Sequence, residues 1–91
     1  MQRIVINRCY GGFGLSDEAM ELIYGIDFRN YSEYDVARDD PRLVQAVGFL
    51  GPRANGDFAE LRVVEIPDDV KWVIKEYDGM EHIAEVHRTW R

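Results

Sequence analysis

The chain has 91 residues, 46% of them hydrophobic and 12% aromatic, with 17 acids against 11 bases and a net charge of −6. That length predicts one domain, residues 1–91, with a single core, and the apolar fraction excludes a disordered acidic tail. One cysteine excludes an internal disulfide scaffold and multi-cysteine zinc sites, and the negative charge argues against binding nucleic acid directly or an anionic membrane.

Residues 3–8 carry the β-branched run Ile4-Val5-Ile6 and predict a first strand. This apolar run is too short for a secretory signal or a membrane span, and the C-terminus has no lipidation box, so the expected location is the cytoplasm. The next segment, Cys9-Tyr10-Gly11-Gly12-Phe13-Gly14, has three glycines in six residues and predicts backbone at positive φ. Ser16 then reads as an N-cap, with Asp17 and Glu18 in the first turn of a helix. Met20, Ile23 and Tyr24 form its apolar face, and Gly25 ends it.

Residues 26–38 have a blurred pattern and predict a loop with one short strand near Tyr34. Asp40 followed by Pro41 opens a second helix, whose apolar positions are Leu43, Val44 and Val47 and whose end falls near Gly48 or Gly51. Residues 52–57 are a loop by composition. Residues 59–66 read as a strand, Pro67-Asp68-Asp69 as a turn, and residues 71–77 and 80–86 as a hairpin about Asp78-Gly79. A two-residue loop sets Tyr77 opposite Met80, Lys75 opposite His82 and Ile74 opposite Ile83. It also sets Glu76 opposite Glu81, at a small like-charge cost. The predicted order is β-α-α-β-β-β, an α+β domain with its helices on one face of a mostly antiparallel sheet.

The acidity is concentrated. Residues 16–40 hold eight acids against Arg29 and Arg38, and residues 68–87 hold six against Lys71 and Lys75. One reading is a solubility surface with helix-capping acids. The other is an acidic face for a basic partner, in which carboxylates imitate the phosphates of a duplex. Glu33, Asp35, Asp39 and Asp40, with Tyr31 and Tyr34 as aromatic anchors, are the candidate contact residues on that reading.

Catalytic signatures are weak by comparison. Cys9 ends a strand before a glycine turn, a position that suits a nucleophile. The acids at the following helix start would raise rather than lower its thiol pKa, and a small buried hydrophobe is the plainer account. Gly11, Gly12 and Gly14 between strand and helix suggest a phosphate cradle, yet no lysine follows and two acids occupy the first turn. His82 and His87 stand five apart, on opposite faces of a strand, and cannot share a metal. Asp39-Asp40 and Asp68-Asp69 adjoin prolines and read as caps and turns. No cofactor, metal or acid–base pair is indicated.

The segment Asn7-Arg8-Cys9-Tyr10-Gly11-Gly12-Phe13-Gly14-Leu15-Ser16 resembles the opening of a family of small bacteriophage and prophage proteins. Asp39-Asp40-Pro41-Arg42-Leu43-Val44-Gln45, Val64-Glu65-Ile66-Pro67-Asp68-Asp69-Val70, Tyr77-Asp78-Gly79 and the ending His87-Arg88-Thr89-Trp90 agree with it. The resemblance supplies no reaction. It implies a phage accessory protein in the cytoplasm of an infected or lysogenic bacterium, monomeric or a small homo-oligomer. The expected function is non-enzymatic: an acidic inhibitor, a nucleic-acid mimic that occupies the basic nucleic-acid-binding surface of a host defence complex such as CRISPR-Cas. The alternative is a small-ligand binder or enzyme that uses Cys9 and the Gly11–Gly14 loop.

Overall fold

A computed structural model describes residues 1–86. Strand β1 (Gln2–Asn7) is followed by helix α1 (Asp17–Tyr24), a 3₁₀ turn at Phe28–Asn30, helix α2 (Pro41–Leu50), a second 3₁₀ turn at Gly51–Ala54, and strands β2 (Leu61–Ile66), β3 (Trp72–Tyr77) and β4 (Met80–Glu85). The α+β class and the β-α-α-β-β-β order are those the sequence predicts. The strands divide into two antiparallel ribbons, β1 with β2 and β3 with β4.

Local chemistry sets the helix ends. Ser16 accepts the Ala19 N–H and caps α1, while Gly25, at φ 83°, ends it. Asp40 accepts the Arg42 N–H and Pro41 starts α2, which runs to Gly51 at φ 58°. The short strand expected near Tyr34 is absent. Ser32 and Asp35 instead close a turn on themselves: Asp35 Oδ2 accepts the Ser32 N–H, and Ser32 Oγ accepts the Tyr34 N–H. Such side-chain bonds satisfy backbone groups that a strand would need for pairing.

Strand β1 is the centre of the fold. Ile4 and Val5 are fully buried and Ile6 nearly so, each contributing about 1.5–3 kcal/mol by leaving water. Val5 joins Leu61, Leu43, Val47, Met20 and Ile23 in the core beneath the helices. Alternation turns Gln2, Ile4 and Ile6 to the reverse face. The hairpin lies on that side, where Trp72 Nε1 donates to Gln2 Oε1 at 3.0 Å. The helices therefore lie on the Val5 face of β1, and the hairpin meets the strand at Gln2 on the other.

The hairpin has the expected register at every pair named, including Glu76 opposite Glu81. Asp78 at φ 50° and Gly79 at φ 90° make its two-residue loop. The sequence predicts a small like-charge cost at the Glu76–Glu81 pair. Glu81 is instead, with Asn7, among the buried polar side chains of the described residues, for reasons that concern the site.

Candidate functional site

The segment after β1 crosses the rest of the chain at unusually close range. Asn7, fully buried, organises that crossing: its Nδ2 donates to the Cys9 and Gly79 carbonyls at 2.6 and 2.7 Å, and its Oδ1 accepts the Glu60 N–H at 2.8 Å. The Asn7 N–H goes to Glu81 Oε1 at 2.8 Å. Glu81 also receives both terminal nitrogens of Arg38, and the guanidinium lies 3.7 Å from the centre of the Phe13 ring. Arg38 donates further to the Val5 carbonyl, and its own carbonyl accepts the Val5 N–H. The Arg38 carbonyl and guanidinium and the Glu81 carboxylate thus occupy the free edge of β1 where another strand would pair, and every buried side-chain nitrogen and oxygen among the described residues has a partner.

The glycines serve this crossing. A Cβ on Gly79 would stand 2.5 Å from the Tyr10 carbonyl oxygen and 2.6 Å from the Gly12 nitrogen. One on Gly11 would collide with the Phe58 backbone, and Gly56 lies so close to Gly14 that its N–H donates to the Gly14 carbonyl at 3.0 Å. Gly12 has open space but a φ of 94°. Gly11, Gly56 and Gly79 need glycine because backbone meets backbone, and Gly12 because of its positive φ, an account that involves no phosphate.

Beside the crossing lies an open groove of about 580 Å³. Its floor is Gly11–Ser16 together with Asn55 and Gly56, and its rim carries Asp17, Glu18, Glu33, Asp57, Tyr34 and Phe58. Glu18 is bound by Arg53 at 2.9 Å, and Asp17 is 3.9 Å from Arg29. Glu33 and Asp57 have no ion-pair partner among the described residues. Tyr34 and Phe58 are 72% and 74% exposed and line the same groove as these carboxylates, with the Tyr34 ring tilted against Phe13 at 6.4 Å between centres. Among the described residues no group of three or more histidine, cysteine, aspartate or glutamate side chains converges as a metal site.

The residues singled out from sequence are distributed unevenly. Glu33 and Tyr34 meet Gly11, Gly12 and Gly14 in this groove, which joins the two candidate sites into one. Tyr31 stacks on Tyr24 with ring centres 4.5 Å apart and borders an adjoining hollow that shares Leu15, Asp17, Glu33 and Tyr34 with the groove. Asp35 closes the Ser32 turn. Asp40 caps α2 and grips Arg42, whose hydrogen bonds hold its carboxyl below the usual carboxylate range. Asp39 lines a separate shallow pocket with Met1 and Arg3. Cys9 is half-buried and is not among the groove-lining residues; its carbonyl rather than its thiol takes part in the bonding. His87 and the Arg88–Trp90 segment lie outside the described residues.

The second acidic block is dispersed. Asp68 pairs with the N-terminal amine at 3.1 Å and Glu81 is internal, while Asp78 sits at the hairpin tip near the glycine crossing. Asp57, which the sequence places only in the 52–57 loop, and Phe58, which it does not single out, belong to the groove. The signal for them is Gly56, whose close approach to Gly14 brings the 55–58 loop alongside.

Fold and groove define a small α+β domain with an acidic, aromatic-rimmed groove built on a glycine crossing. Comparison with protein-family models, with curated proteins and with solved structures finds no match. Among the described residues no helix is long and apolar enough to cross a membrane.

Proposed function

We propose that the protein acts by binding, and that it places its acidic groove against the basic, nucleic-acid-binding surface of a host protein. The observation that carries this reading is the pairing of Glu33 and Asp57, unneutralised among the described residues, with the exposed rings of Tyr34 and Phe58 in one groove. Carboxylates that lack an internal cation attract an external one, and aromatic rings beside them supply the contact area that anchors interfaces. The resemblance to small phage proteins supports a target in bacterial defence, with CRISPR-Cas complexes as the leading class. Inhibition would follow from occupying the surface that otherwise holds phosphates.

Capture from host lysate on the immobilised protein tests the reading. A basic nucleic-acid-binding protein should be retained at low salt and released both by high salt and by competing duplex DNA. Retention of partners that neither treatment displaces would contradict it.

A further inference from the structure

We infer that the groove recognises arginine in particular, taking a guanidinium from a basic segment of a protein partner against the rings of Tyr34 and Phe58, with Glu33 and Asp57 as acceptors. This rests on the proposed binding function and names the side chain it recognises. The chain solves the same chemical problem internally. Arg38 lies over Phe13 while Glu81 holds its terminal nitrogens, and Arg42 lies 5.6 Å from the centre of Tyr24 while Asp40 holds it. In each case a ring faces the flat guanidinium and a carboxylate takes its edge, which is the geometry that distinguishes arginine from lysine.

The groove offers the same two ingredients, and no arginine among the described residues is seated on them. Tyr34 and Phe58 are mostly exposed, and the Glu33 carboxylate lies 3.3 Å from where a Gly14 Cβ would be, over the backbone floor. Among the described residues no three carboxylate, cysteine or histidine side chains gather as a metal site, so a cationic side chain suits this open groove better than a bare metal ion. Charge complementarity selects the occupant: a chain of net charge −6 repels acidic segments and a second copy of itself at this surface.

Titration calorimetry with nona-arginine and nona-lysine, peptides of equal charge, tests the inference on the full chain. Nona-arginine should bind about ten-fold more tightly than nona-lysine. Tyr34→Ala with Phe58→Ala should remove that preference while leaving lysine binding nearly unchanged, and Glu33→Gln with Asp57→Asn should weaken both peptides. These side chains are exposed or half-exposed, and circular dichroism of each variant checks that the fold is kept. Equal affinity for the two peptides, or a preference that survives loss of both rings, would overturn arginine recognition and leave the acidic-groove reading standing. Failure to bind either peptide would overturn both.

Discussion

The guanidinium of Arg38 forms two parallel hydrogen bonds, 2.6 and 2.8 Å long, with the carboxylate of Glu81. The pair links the loop before α2 to strand β4, and through the Asn7 N–H it ties both to β1. Glu81 keeps only 7% of its side chain exposed and Arg38 keeps 21%. Removing one partner of such a pair leaves the other charge largely buried and unpaired.

Glu81→Ala should therefore cost about 3 kcal/mol, since it strands Arg38 and orphans the Asn7 N–H. Glu76→Ala, on the opposing but exposed position, should change stability by less than about 0.5 kcal/mol. Urea unfolding of the two variants measures the contrast. Similar losses would mean that Glu81 contributes no more than a surface acid.

Gly79→Ala addresses the crossing. The new methyl would meet the Tyr10 carbonyl and the Gly12 nitrogen at a φ of 90° that L-residues avoid. The hairpin tip must then move off the 9–16 loop or the backbone must strain, at a cost of at least about 1–2 kcal/mol. Amide exchange should accelerate at Asn7 and Gly12 as well as in the hairpin. Gly48→Ala is the control: its Cβ meets nothing within 4 Å, and in a helix interior alanine should stabilise by up to about 1 kcal/mol.

Asp40→Ala should lower stability by about 1 kcal/mol through loss of the α2 cap. The hydrogen bonds from Arg42 lower the Asp40 pKa in the folded state, so the stabilisation is complete above the unfolded value of about 4. It is lost as pH falls through the depressed folded value. Wild type and variant should consequently converge in acid. A gap that stays constant from neutral pH down through that range would show that the cap owes nothing to the carboxylate charge.

Much of this architecture is legible in the sequence because its signals are local. Asp78-Gly79 fixes the hairpin register, and Ser16, Asp40, Pro41 and Gly25 mark helix ends. Arg38–Glu81 and the bonds from Asn7 to Glu60, Gly79 and Glu81 are not legible, because these partners stand 43 to 74 positions apart and nothing in the pattern names them. The Glu76–Glu81 register is legible, yet one of the two carboxylates points into the body to meet a cation that only the fold supplies. The groove was half legible: Glu33, Tyr34 and the glycines were singled out for separate reasons, and the approach of Gly56 to Gly14 adds Asp57 and Phe58.

The sites of charge differ in what they do, and substitutions should separate them. Glu33→Gln with Asp57→Asn should reduce association with a basic partner about ten-fold or more at low salt while leaving thermal stability unchanged. Asp39→Asn, in its own pocket beside Met1 and Arg3, should change association little. Surface plasmon resonance against the captured partner distinguishes the two, and a larger effect at Asp39 would relocate the interface.

The most direct test of the central claim is amide chemical-shift mapping of the isotope-labelled protein titrated with nona-arginine. Binding in the groove predicts saturable shifts confined to Gly11–Ser16, Glu33–Tyr34 and Asn55–Phe58, with little change at Asp39, Asp40 or Asp68. Shifts centred on those three aspartates, or spread evenly over every acidic segment, would contradict it.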